Sequence, residues 1–172
     1  ARYCMPKLDG AYNLLFMFAD GELGIIRDPR GMRPLCYGEN DELFGVSSER
    51  VALEAMGIKR ENIKIFPQGG AMTVNKQNVN NSGRLEVLFP NEKSAFCHFE
   101  AIYFLDQNSD FEGKSVYCFR SEFGDEIARN EDKEILELIK NNKERCVVVA
   151  APDTAYDTAT QYAYNLGLPI RR

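Results

Sequence analysis

The chain has 172 residues, 44% of them hydrophobic and 27% charged, with a net charge of −5. That is enough chain for a hydrophobic core, without the bias of a disordered or fibrous protein, and the negative balance argues against a general nucleic-acid or anionic-membrane surface. No apolar run approaches the roughly 18 to 20 residues that span a bilayer, ARYCMPKLDG holds no signal-peptide core, and five cysteines without a C-x-x-C pair fit a reducing, cytosolic compartment.

Residues 11 to 89 read as short strands joined by tight turns. AYNLLFMF (Ala11 to Phe18) and ELGIIR (Glu22 to Arg27) flank Asp20-Gly21, a hairpin signal. PLCYG and ELFGVSS follow, separated by a polar turn at Asn40 and Asp41. SERVALEAMG then changes period: Ser47 or Ser48 can cap a helix, Ala52, Ala55 and Met56 share a face, and Gly57 stops it. Strands resume at IKIF, AMTVN and RLEVLF, punctuated by PQGG and the polar loop QNVNNSG (Gln77 to Gly83). This half is expected to be antiparallel sheet with one short helix.

The second half follows a different pattern. HFEAIYF (His98 to Phe104) reads as a strand, and after a polar loop Ser115 to Arg129 reads as a helix with Val116, Phe119, Phe123 and Ile127 on one stripe. NEDKEILELIKNNKER is a second helical segment. RCVVVAA then has the continuous apolar, β-branched character of a strand buried on both faces. The PDT loop and AYDTATQYAYNLG follow, a helix whose Ala159, Tyr162, Ala163 and Leu166 face one way. This is the start of a parallel βαβ unit and places a domain boundary near residues 90 to 97.

Pro152, Asp153 and Thr154 lie where an open α/β sheet binds ligands, between the carboxyl end of a parallel strand and the amino end of a helix. Free helix N–H groups there favour an anion, and a hydroxyl beside a carboxylate could hold Mg²⁺ bridging to phosphate. The alternative is that Asp153 and Thr154 only cap the helix. Cys97 beside His98 suggests a thiolate and imidazole, yet neighbours on a strand point to opposite faces, so a buried structural cysteine is the simpler reading. The other aromatic residues read as core. With His98 as the only histidine and wide cysteine spacings, the chain offers no zinc site. RDPRGMRPL (Arg27 to Leu35) is either an anion site or a braced turn in which Asp28 pairs with Arg30 or Arg33 and Pro29 and Gly31 shape the chain.

Taken together, GAYNL (Gly10 to Leu14), RDPRGMRPLCYG, SSERVALEAMG, the Pro67 to Gly69 turn, CHFEAIYF (Cys97 to Phe104), GKSVYCFRSEFGDEIA (Gly113 to Ala128) and VVVAAPDTAYDTATQYAYNLGLPIRR resemble the glutamine phosphoribosylpyrophosphate amidotransferases. The resemblance runs in the family's order over most of the chain. It implies α+β and α/β architecture: residues 1–94 as the C-terminal part of a glutaminase domain, the second part of an N-terminal-nucleophile hydrolase αββα sandwich. Residues 95–172 would begin a type I phosphoribosyltransferase parallel sheet. The implied reaction transfers glutamine-derived ammonia to phosphoribosyl pyrophosphate, giving 5-phosphoribosylamine in the first step of purine biosynthesis. The implied enzyme is a cytoplasmic homo-oligomer.

By the same resemblance Pro152, Asp153 and Thr154 are the pyrophosphate loop and Thr154 is a Mg²⁺ ligand; Cys97 stands where cluster-bearing members place their first iron–sulfur ligand, a position that members without a cluster also fill with cysteine, and the other three ligands would lie downstream. The family's nucleophilic cysteine, HxRYxTxG segment, oxyanion-hole NG and acidic DDSIVRGTT loop have no counterpart here. A middle segment, inactive by itself, is therefore expected. The family's ARPDS is here LDQNS (Leu105 to Ser109). A degenerate homologue serving binding or assembly, and another glutamine amidotransferase, are the alternative readings.

Overall fold

The computed structural model describes residues 1–75, 83–111 and 113–171, so the QNVNNSG loop lies outside the described residues up to Ser82. The architecture is mixed α/β with several sheets, in two compact units, Ala1–Glu100 and Ala101–Arg172. Among the described residues no helix is long and apolar enough to cross a membrane.

The first unit contains β1 (Asn13–Met17), β2 (Leu23–Arg27), β3 (Cys36–Glu39), β4 (Phe44–Ser47), α1 (Arg50–Ala55), β5 (Ile63–Ile65), β6 (Gly70–Val74) and β7 (Arg84–Val87). The hairpin forms as read: β1 pairs with β2, Gly21 takes φ +84° in the turn, and Asp20 accepts from the Glu22 N–H. Two antiparallel sheets result, of order β1-β2-β6-β7 and β4-β3-β5. Along β6, Gly70, Met72 and Val74 are buried and Thr73 is exposed, the two-residue period of a strand with one face on a core. That core joins both sheets through Ile25, Leu35, Tyr37, Phe66, Met72 and Val74.

Helix α1 departs from its sequence reading at both ends. Neither Ser47 nor Ser48 caps it: Glu49 is the N-cap residue without a side-chain bond, and the Ser47 hydroxyl accepts from the Glu49 N–H. At its far end Gly57 (φ +87°) donates to Glu54 and Ile58 to Leu53, a Schellman closure that folds Ile58 back onto Leu53. Leu53, Ile58 and Cys36 form the buried cluster, so Ala52, Ala55 and Met56 are left exposed. In a helix under two turns long, this closing contact outweighs the stripe read from spacing.

RDPRGMRPL is a brace built on main-chain atoms. Arg27, only 6% exposed, donates to the carbonyls of Phe66, Gly31 and Arg33. Buried Asp28 accepts backbone N–H groups from Arg30 at 2.9 Å and Met32 at 3.1 Å, not the guanidinium groups expected of Arg30 or Arg33. The tight turn brings successive N–H groups over the carboxylate, whereas long side chains would have to double back. Arg33 reaches Glu100 at 3.0 Å instead. The carbonyls of Arg30 and Met32 then receive the N–H groups of Ala95 and Cys97.

The second unit contains β8 (Asp110–Phe111), β9 (Lys114–Ser115), α2 (Val116–Arg129), α3 (Lys133–Asn141), β10 (Val148–Val149), α4 (Tyr156–Leu166) and β11 (Ile170–Arg171). Ser115 caps α2 and Asp132 caps α3, each accepting a first-turn N–H. Strands β10 and β11 pair in parallel around α4, the βαβ unit anticipated from the sequence. The strand is not buried on both faces, however: Val147 is 47% and Val149 65% exposed, because the described sheet has only these two strands. HFEAIYF is not a strand either. Glu100–Phe104 forms one π-helical turn, and Phe99, Tyr103 and Phe104 are exposed rather than core.

Helix α2 buries Val116, Arg120 and Gly124, whereas Phe123 and Ile127 from the anticipated stripe are exposed. Gly124 decides this. A Cβ there would stand 2.4 Å from the Thr158 carbonyl oxygen and 2.9 Å from the Tyr162 nitrogen, so α2 and α4 cross with their backbones nearly touching. Asp125 accepts from Gln161 at 2.8 Å and Asn165 at 2.7 Å, fixing the same crossing. On α4, Ala163 is buried and Ala159, Tyr162 and Leu166 are half-buried, the face read from the sequence.

Gly124→Ala is expected to destabilise the protein by about 2 kcal/mol or more, since the added methyl meets backbone that cannot yield; urea unfolding measures it. Burial also pushes the Cys36 thiol up from 9.0 to about 11. The unfolded thiol therefore ionises first, and stability falls as pH rises from about 9 to 11, by on the order of 2 kcal/mol. Cys36→Ala should flatten that part of the stability curve.

Candidate functional site

The second unit has a cavity of about 490 Å³ beside the loop that joins β10 to α4. Pro152, Asp153 and Thr154 line it together with Tyr103 to Gln107, Arg120 and Ala150, and with Tyr156 and Asp157 at the start of α4. The structure thus brings the three loop residues read from the sequence to one cavity.

The loop is held by its backbone. The Pro152–Asp153 peptide is cis, and the Asp153 carbonyl accepts from the Tyr156 N–H at 3.2 Å. Ala155 is the N-cap residue of α4, with no side-chain cap. The capping alternative for Asp153 and Thr154 is therefore overturned. Among the described residues neither side chain makes a hydrogen bond, so carboxylate and hydroxyl are both available at the helix N-terminus.

Charge around the cavity is mixed. Asp106, Asp153 and Asp157 contribute carboxylates and Arg120 a buried guanidinium. Among the described residues no group of three or more His, Cys, Asp or Glu side chains is placed to hold a metal. Asp153 and Thr154 are hard oxygen donors, too few to enclose a cation but suited to Mg²⁺ that takes its other ligands from phosphate and water. Cys97 is half-buried and stands in no metal-holding group of three or more His, Cys, Asp or Glu side chains among the described residues. Cys97 instead donates its N–H to Met32 and accepts at its carbonyl from Glu100.

Sequence reading missed Arg120 and the Tyr103 to Gln107 wall. A signal was present: Arg120 lies four residues from both Val116 and Gly124, so a charge stands on the buried face of α2. Arginine is rarely buried without a set of acceptors waiting for it.

No family model matches the chain. It is 34% identical over 165 residues to the amidophosphoribosyltransferase of Archaeoglobus fulgidus, an alignment covering 95% of this chain and 32% of the relative. Its homologues are amidophosphoribosyltransferases. Amidophosphoribosyltransferase 1, chloroplastic, of Arabidopsis thaliana is likewise 34% identical, over 96% of this chain and 26% of its own length. The solved glutamine phosphoribosylpyrophosphate amidotransferase from B. subtilis, in complex with ADP and GMP, superposes with a TM-score of 0.80 at 26% identity. That match covers 99% of this chain and 34% of the amidotransferase. The chain spans about a third of the length of the curated amidophosphoribosyltransferases it matches.

Since neither Asp153 nor Thr154 supports α4, Asp153→Ala and Thr154→Ala should each change unfolding free energy by less than about 0.5 kcal/mol, against about 1 kcal/mol for a lost cap. Thermal or urea denaturation distinguishes the two outcomes.

Proposed function

We propose that this chain is an internal segment of an amidophosphoribosyltransferase, a glutamine-dependent glycosyltransferase. Residues 1–94 are read as the C-terminal part of a glutaminase domain of the N-terminal-nucleophile hydrolase fold. Residues 95–172 are read as the N-terminal part of a type I phosphoribosyltransferase domain. The reading is supported by the likeness to amidophosphoribosyltransferases along 95% of the chain and by the two compact units. The complete enzyme takes ammonia from glutamine and transfers it to phosphoribosyl pyrophosphate.

The observation that carries the site is the uncapped start of α4. Pro152, Asp153 and Thr154 form the pyrophosphate loop, whose amides and the α4 dipole draw the leaving group's negative charge to the sheet edge. Thr154, with Asp153 beside it, is the Mg²⁺-binding side chain. When bound, Mg²⁺ supplies neutralisation of the pyrophosphate charge as it departs. The chain's own contribution is to hold the diphosphate end of the substrate fixed against a rigid backbone, so that ribose C1 is presented to the incoming ammonia.

In the complete encoded protein, Thr154→Ala should raise KM for phosphoribosyl pyrophosphate by about tenfold or more, the size of a lost charge-assisted contact, and leave glutamine hydrolysis intact. The 172-residue chain alone should hydrolyse no glutamine and give no calorimetric signal with phosphoribosyl pyrophosphate and Mg²⁺. A reading frame without an upstream Cys-Gly start and a downstream double-aspartate loop would sink the enzyme assignment, and tight binding by the isolated chain would sink its incompleteness.

A further inference from the structure

Arg120 is among the 6%-exposed side chains of the chain, yet it lines the cavity. Its Nε donates to the Ala101 carbonyl at 3.0 Å and its Nη2 to the Leu105 carbonyl at 2.8 Å. These two bonds hold both ends of the turn leading into the Leu105 to Gln107 wall. The main chain of the same residue grips the other side: the Arg120 carbonyl accepts from the Thr158 hydroxyl at 2.8 Å. Thr158 sits in the first turn of α4, directly after the Pro152 to Thr154 loop. One turn along α2, Gly124 lets the helices meet at backbone distance, which leaves the crossing no slack.

We propose that Arg120 is the positioning residue of this site, setting the separation of its two walls by holding one through its guanidinium and the other through its carbonyl and Thr158. This rests on the phosphoribosyl pyrophosphate reading of the cavity. A fork-shaped guanidinium reaches two carbonyls at once; a lysine ammonium is a point donor and cannot hold both in the same geometry. The Leu105 to Gln107 segment would then drift relative to the loop, and the substrate would meet a site of altered shape.

The test uses the complete encoded protein and phosphoribosyl pyrophosphate with Mg²⁺ as the probe. Arg120→Lys and Thr158→Val should each raise the Kd by about fivefold, the equivalent of one or two lost hydrogen bonds, with KM moving more than kcat and the glutaminase reaction unchanged. Thr158→Ser, which keeps the hydroxyl, should restore the Kd to within about twofold of wild type. Wild-type affinity in both Arg120→Lys and Thr158→Val, or a Thr158→Ser no better than Thr158→Val, overturns the inference. If Arg120→Lys does not fold, the two Thr158 variants decide. Failure of the wild-type protein to bind phosphoribosyl pyrophosphate would instead overturn the functional reading beneath it.

Discussion

A buried guanidinium must find acceptors, and in each unit of this protein the acceptors are main-chain carbonyls. Arg27 draws three carbonyls around itself and so ties the β2 end to the turn that follows it and to Phe66 at the end of β5. Arg120 does the same for the turn at Ala101 to Leu105. Neither could be replaced by an apolar side chain without leaving those carbonyls to face an unpolar interior. The irregular parts of both units, a proline-rich turn in one and a π-helical turn in the other, take their shape from this demand.

Where the chain obeys simple periodicity, its sequence is readable. The Asp20-Gly21 hairpin, the alternation along β6, the Ser115-capped start of α2 and the parallel βαβ unit all follow from two-residue or 3.6-residue patterns with ordinary turn chemistry. The position of the Pro152 to Thr154 loop follows from topology, as the connection from a parallel strand to its helix. What could not be read was the outcome of competition between local options. On α2 the large apolar residues looked like the buried stripe, but a glycine allows closer approach than any of them, and the crossing formed there. On α1 the Schellman contact of Leu53 with Ile58 displaced the face drawn from spacing. Asp28 had arginines nearby and took backbone N–H groups instead, because those are delivered by the turn at no cost in side-chain order.

The cavity follows from the same competition. A helix start capped by its own aspartate or threonine would engage the side chains that an anion or cation needs. Here Ala155 takes the cap position and contributes nothing, and the loop is closed by a carbonyl-to-amide bond. Fold and site thus use different atoms of the same three residues. Among the described residues, the side-chain oxygens of Asp153 and Thr154 are left outside the cap of α4.

A brace made to main-chain oxygens does not register which side chains those residues carry. The Arg120 fork holds the carbonyls of Ala101 and Leu105, and it would hold them as well if the wall read differently. That gives the Leu105 to Ser109 segment latitude to change its side chains without losing the bonds that anchor its start. The cavity's width and the cavity's lining can then diverge independently, the first fixed by one arginine and the second open to substitution residue by residue.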